Sequence, residues 1–320
     1  MRSTAPDTIP HVSVRPNSVT FYNLPERMGA RSIRQREAEV HLLDNDHNGH
    51  ISNKAKSRIN QGIDWMLYLA NEKTFQGFKS NRKYKFRVNF VTLTLSSKQV
   101  HTDQEIKNQL LNQFLIEARV RWKVGMYLWR AEPQNNGRIH FHILTDKFIP
   151  YKELKNTWNR IQDKLGYVQR APDFKKGWNP NSTDVHSVRK VRKLGAYLAK
   201  YCTKESKVRK IEGKQWGLSN SLSVMRSATD LRWSDVIDDL SRLWKARGSS
   251  LKEYDWHSTY WISVKELKEI GCDCLVGILE DYVKRMSKEK LYICDNSTLK
   301  PIDYEISKTR NEEDTRRQAA

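Results

Sequence analysis

An α+β fold is predicted by three observations on the amino-acid sequence. Segments near 86–95, 127–132 and 139–143 are β-branched or aromatic with a two-residue alternation. Segments near 53–71, 103–121 and 151–165 instead carry apolar residues at helical spacing. From Phe86 to Val188 the two kinds follow one another as β-α-β-β-α-β. That order is the ferredoxin/RRM-like split pattern, an antiparallel sheet with helices on one face and the other face free to bind. A further helix follows this unit, and helical N- and C-terminal extensions flank it. The expected division is an arm and helix over 1–80, a central domain over 81–222, and a mainly helical region with a disordered tail over 223–320.

Composition bounds the function. The chain has 320 residues, 38% hydrophobic content and ten tryptophans, enough for a core. Its net charge of +20 points to a polyanionic partner, nucleic acid before anionic membrane. No apolar run approaches bilayer length, and Met1-Arg2-Ser3-Thr4 is followed by no apolar signal core, so an intracellular protein is expected. Cys202, Cys272, Cys274 and Cys294 form no paired Cys-x-x-Cys motif, which argues against a zinc module or a disulfide framework. There is no G-x-x-x-x-G-K-[ST] segment, so a built-in P-loop ATPase or helicase is not expected.

In chain order, residues 1–35 contain four prolines and little periodicity and read as an extended arm. Asp44–Ile51 imitates a calcium loop, but its twelfth position is Ala55 where a bidentate Glu is needed, so it reads as a polar turn. Asn53–Asn71 is a helix with Ile59, Ile63, Met66 and Leu67 on one face. Phe86–Leu95 is a strand, and Asp103–Arg121 a helix burying Leu110, Phe114 and Ala118. A hairpin, Tyr127–Asp146, comes next, then a helix at Tyr151–Leu165 and a short strand at Asp184–Val188. Gly213–Ser219 is a strand or turn closing the domain. Beyond it, helices are expected over Thr229–Ala246 and Cys274–Met286, with a strand over Asp255–Val264.

The hairpin carries the chemistry. Tyr127, Trp129 and Ala131 alternate with Arg130 and Glu132, and Ile139, Phe141 and Ile143 alternate with His140 and His142. A two-residue Asn136-Gly137 turn would set Ala131 opposite His142 and mix the faces. A three-residue loop with Gly137 in the left-handed region sets Ala131 opposite Phe141 and Glu132 opposite His140. Only the second register gathers every apolar residue on one side. It brings one carboxylate and two imidazoles together as a cradle for Mg²⁺ or Mn²⁺. Gln134 lies on the same face and can replace Glu132 as the third ligand. The alternative reading is a pair of solvated histidines on an exposed strand.

Arg189–Lys210 holds nine Lys or Arg and one Glu. Val191, Leu194, Leu198 and Cys202 trace a helical stripe, at whose edge stand Tyr197 and Tyr201, one turn apart. Lys193, Lys200 and Lys204 lie just beyond, and Tyr-x-x-Lys occurs twice in tandem. Boundary tyrosines and solvating lysines would explain each residue singly, but not the repeat.

The ordered set of Phe90–Leu95, Glu132 with His140-Phe141-His142, the Tyr197/Tyr201 helix and Gly213–Ser219 resembles the rolling-circle replication initiators of the HUH endonuclease superfamily, over about 85–220. The paired tyrosines resemble the two-tyrosine branch found in small single-stranded DNA phages. The resemblance implies a metal held by His140, His142 and Glu132, and nucleophilic attack by Tyr197 or Tyr201 on origin DNA. It also implies charge stabilisation by Lys200 and Lys204, with Arg189, Lys190, Arg192 and Lys193 tracking the strand. Implied partners are an origin hairpin, a host helicase and a DNA polymerase, in the cytoplasm of a bacterial host. A two-tyrosine transposase and a non-catalytic nucleic-acid-binding module are the competing readings.

Overall fold

The computed structural model describes residues 8–25, 51–76, 83–187, 208–230, 233–247, 251–254 and 257–288. Two five-stranded antiparallel sheets and several helices make an α+β fold. The central sheet is built from β5 (Asn89–Thr94), β6 (Tyr127–Pro133), β7 (Ile139–Thr145), β8 (Thr183–Ser187) and β9 (Trp216–Leu218). Its order is β8-β5-β7-β6-β9, with every neighbour antiparallel. The strand expected from Phe86 is broken, since β4 (Lys83–Phe86) pairs with β3 (Lys73–Gln76) in a separate ribbon.

Alternation along these strands sorts residues onto two faces. Val91, Leu93, Ala131, Phe141 and Ile143 point to one, where Leu110, Phe114, Trp158 and Ile161 bury them completely or nearly so. Those four come from two helical stretches. The first runs from α2 (Asp103–Ile106) through a π-helical stretch, Lys107–Leu111, into α3 (Asn112–Arg121); the second is α4 (Tyr151–Asp163). Thr102 starts α2 with a capping box, its hydroxyl accepting from Glu105 N at 3.2 Å while Glu105 accepts from Thr102 N at 2.8 Å.

The opposite face is not free along its whole length. Phe90, Leu128 and Leu144 occupy one end of it and are buried in a core shared with Ile59, Ile63 and Met66 of α1 (Asn53–Leu69). Gly62 makes that approach close: a Cβ there would lie 2.7 Å from Leu218 Cδ2 and 3.7 Å from Leu128 Cδ1. Only the other end, toward the β6–β7 turn, is left to polar side chains.

The flanking regions are not purely helical, contrary to expectation. β1 (Thr8–Arg15) and β2 (Ser18–Pro25) form a hairpin inside the predicted arm. It is joined by β10 (Ala228–Asp230), β11 (Leu251–Tyr254) and β12 (His257–Tyr260) in the order β10-β1-β2-β12-β11. These short strands pair across distant sequence, Val12 with Asp230 and Val19 with Tyr260, so no local window reveals them. α7 (Trp233–Arg247), α8 (Val264–Glu269) and α9 (Asp273–Lys288) follow α5 (Pro172–Lys175) and α6 (Asn220–Ser223) in chain order. Leu275 and Leu279 of α9 join Val12, Val14 and Val19 in the core that also holds α1. Trp65 Nε1 donates to Arg226 O at 2.7 Å, tying α1 to the chain before β10. Cys272 is buried and Cys274 exposed, which leaves the pair no common ligand position. The calcium-like stretch at 44–50 lies outside the described residues.

Candidate metal centre

The hairpin turn sets the centre. Gly137 adopts φ +81°, and Gln134 N donates to Arg138 O at 2.7 Å, leaving Asn135-Asn136-Gly137 as a three-residue loop. Ala131 faces Phe141 and Glu132 faces His140, the register that the face alternation selects. On the uncovered end of the second face lie Arg130 and Glu132 of β6, His140 and His142 of β7, and Thr92 and Thr94 of β5.

Glu132, His140 and His142 each direct one ligand atom into a space where all three lie within 4.8 Å of one another. His140 Nε2 and His142 Nε2 are 2.9 Å apart, and His142 Nε2 is 3.5 Å from Glu132 Oε1. Thr92, directly across from His142, places its Oγ1 3.2 Å from His142 Nδ1. A Thr92 hydroxyl accepting from Nδ1–H leaves Nε2 as the lone-pair nitrogen turned toward Glu132. Phe90 packs against the His142 ring at 5.0 Å, closing the centre on the α1 side.

Electrostatics keep both rings neutral. Burial pushes His140 down to about 4, and the neighbouring Arg130 guanidinium adds to the effect. Burial pushes His142 down to about 3, assisted by His140 and then Arg130. Arg130 is itself buried, its Nη1 donating to Gln215 Oε1 at 2.9 Å and to Gln215 O at 3.1 Å. Neutral imidazoles offer lone pairs, and a carboxylate beside them supplies charge, so the donor set suits a divalent cation. Two buried atoms on this face, His140 Nδ1 and Gln134 Oε1, have no hydrogen-bond partner among the described residues. A proton shifted to His140 Nδ1 would free Nε2 for an ion, and Gln134 remains the next oxygen available to it. The residues present fit a metal.

Beside the turn, Arg209 clamps the chain that leads into β9. Its Nη1 and Nη2 donate to Asp103 Oδ2 and Oδ1 at 2.6 and 2.7 Å, and its Nε donates to Gly137 O at 2.6 Å. Burial raises the Asp103 carboxyl, but the bonds from Arg209 and Gln99 outweigh it and leave the group below the usual carboxylate range.

Of the residues expected to act, the structure brings together Glu132, His140 and His142. Tyr197, Lys200, Tyr201 and Lys204, and the basic residues Arg189, Lys190, Arg192 and Lys193, lie outside the described residues. Sequence reasoning missed Thr92, Arg130 and Gln215. Thr92 and Arg130 alternate in phase with Thr94 and Glu132, but only strand pairing shows that both flank His142.

Residues 88–206 match the family model of the ORF2-type replication-associated proteins. No curated protein and no solved structure matches the chain. The matched span begins at the residue before β5 and runs past β8, so it encloses all three candidate ligands and both tyrosines. β9 and the outer sheet lie outside it. Among the described residues, no helix is long and apolar enough to cross a membrane.

Proposed function

We propose that this chain is a rolling-circle replication initiator of the two-tyrosine HUH type, which nicks single-stranded origin DNA and later rejoins it. The observation that carries the reading is the convergence of Glu132, His140 and His142 on one sheet face, inside the span that matches the replication-associated family. Several features support a ferredoxin-like catalytic domain over 81–222, with 1–80 and 223–320 as accessory regions. They are the order β8-β5-β7-β6, the helices packed on one face, and β9 added at the edge.

A divalent ion, Mg²⁺ or Mn²⁺, would be held by His140, His142 and Glu132, and when bound would polarise the scissile phosphate. Thr92 orients His142, and Arg130 keeps the site cationic and short of bound protons. Tyr197 or Tyr201 supplies the nucleophile. Its phenolic oxygen bonds to phosphorus, the phosphorus–O3′ bond breaks, and the phenolic proton leaves as the 3′-oxygen is protonated to a 3′-OH. Lys200 and Lys204 favour the phenolate and the charge on the phosphorane. The product is a 5′-phosphotyrosine with a 3′-OH primer, and because the phosphotyrosine conserves the bond energy, rejoining needs no nucleotide triphosphate. Arg189, Lys190, Arg192 and Lys193 neutralise backbone phosphates of an origin hairpin. A host helicase and DNA polymerase complete the cycle in a bacterial cytoplasm.

The test is cleavage of single-stranded origin oligonucleotides with Mn²⁺, with covalent adducts followed by gel shift. Each of Tyr197→Phe and Tyr201→Phe retains some nicking, and the double variant forms no adduct. Loss of all adducts in Tyr197→Phe alone, with Tyr201→Phe behaving as wild type, would make this a one-tyrosine enzyme. Nicking that survives excess chelator would remove the metal from the mechanism.

A further inference from the structure

We infer that the loop Phe174-Lys175-Lys176-Gly177-Trp178 is a base-stacking contact for single-stranded DNA, separate from the basic segment at 189–193; this rests on the replication-initiator reading. Trp178 is 73% exposed and Phe174 48% exposed, while Lys175 and Lys176 between them are also exposed. Leaving an indole in water costs burial energy that folding would otherwise recover, so a fixed exposed tryptophan calls for a partner.

The loop is held in place. Trp178 N donates to Asp173 O at 2.9 Å, Gly177 N to Phe174 O at 2.9 Å, and Gly177 takes φ +77°, which a side chain would resist. Its exit is pinned by buried amides: Asn159 Nδ2 donates to Pro180 O at 2.8 Å, and Gln162 Nε2 to Ser182 Oγ at 3.0 Å. Tyr151 Oη donates to Asn181 Oδ1 at 2.7 Å. Flat rings on such a mount lose little entropy on binding.

Placement favours DNA that also reaches the metal centre. Ser182 O accepts from Thr94 N at 2.8 Å, and Thr94 is the register partner of His140. The loop therefore enters β8 at the same end of the sheet as the candidate ligands. Between Arg170 and Asn181 there are three basic residues and one acidic one, set among the rings rather than around an apolar patch. Aromatic faces interleaved with cations suit stacked bases and phosphates better than a protein core, whose centre excludes charge.

The test measures binding of a fluorescein-labelled dT20 to the full chain by anisotropy across a salt series. Trp178→Ala weakens binding by about 5- to 100-fold with the salt slope unchanged, and Trp178→Phe recovers part of the loss. Lys175→Ala with Lys176→Ala lowers the slope of log K on log salt by about 1.4. An equal thermal midpoint for Trp178→Ala shows that the fold is intact. The inference is overturned if Trp178→Ala binds within twofold of wild type, if wild type does not bind dT20, or if the variant changes only self-association in sedimentation. If Trp178→Ala loses affinity while wild type cleaves no origin oligonucleotide, the stacking contact stands and the initiator reading falls.

Discussion

The second face of the central sheet has two ends, built from the same three strands with opposite chemistry. At one end Phe90, Leu144 and Leu128 lie side by side beneath α1, in a core continuous with the outer sheet. Two residues along, the same strands carry Thr92, His142 and Arg130, then Thr94, His140 and Glu132. Backbone geometry is shared, so the difference comes from what covers each end. The helix excludes water from the first and lets its stability come from apolar area. At the second no helix intervenes; Phe90 and the buried Arg130 dry the histidines enough to keep them neutral, but leave them a common opening. A core and a site can thus adjoin on one surface when one helix ends between them.

Substitutions should separate the two ends. The largest effect is expected from His140→Ala combined with His142→Ala, which should reduce nicking below detection while single-strand affinity persists, because basic residues supply that affinity. Leu144→Ala, two positions from His142, should do the reverse. It should cost about 2–5 kcal/mol of stability in denaturant unfolding, with nicking by the folded fraction retained. If Leu144→Ala destroyed metal-dependent cleavage in fully folded protein, the ends would not be independent.

A smaller effect should follow from Thr92→Val, which removes the hydroxyl facing His142 Nδ1 without altering strand shape. Metal affinity by calorimetry with Mn²⁺ should fall by about 10-fold, with the thermal midpoint little changed. An unchanged affinity would show that His142 is oriented by packing against Phe90 alone.

The smallest effect tests the covered end. Burial on α1 pushes the Asp64 carboxyl up to about 6, offset in part by the hydrogen bond from Asn17 Nδ2 at 2.7 Å and by Arg15. The folded state therefore holds this proton more tightly than the unfolded chain does. Its contribution is fully present below the ordinary value of 3.8 and is lost as pH rises through about 6. Asp64→Asn should remove that loss, leaving the variant about 1–2 kcal/mol more stable than wild type at pH 7.5 and no more stable at pH 4. Urea unfolding at the two pH values checks it, and equal differences at both would show that the carboxyl is already well solvated.

Much of the centre was legible along the chain because side-chain alternation is a local property. The period of two in Tyr127–Glu132 and Ile139–Ile143, with a glycine suited to the left-handed position, admits one register that keeps Ala131, Phe141 and Ile143 together. That register alone makes Glu132, His140 and His142 neighbours. The helical periods of α1, α4 and α9 were readable for the same reason, and the boundaries of α1 and α4 differ from expectation by only a few residues.

What the chain could not disclose depends on partners far away in sequence. No pattern near Ser18–Pro25 announces that β2 will pair with His257–Tyr260, because a short strand gains its stability only from the neighbour it meets. Thr92 becomes the orienting partner of His142 only when β5 and β7 align, and Arg130 becomes a buried neighbour of the histidines only when Gln215 receives it. The amphipathic stripe of α1 showed that the helix must bury a face. Which surface it covers, and therefore which half of the sheet stays open for chemistry, was decided by the close approach of Gly62 to Leu218 and Leu128 in the assembled fold.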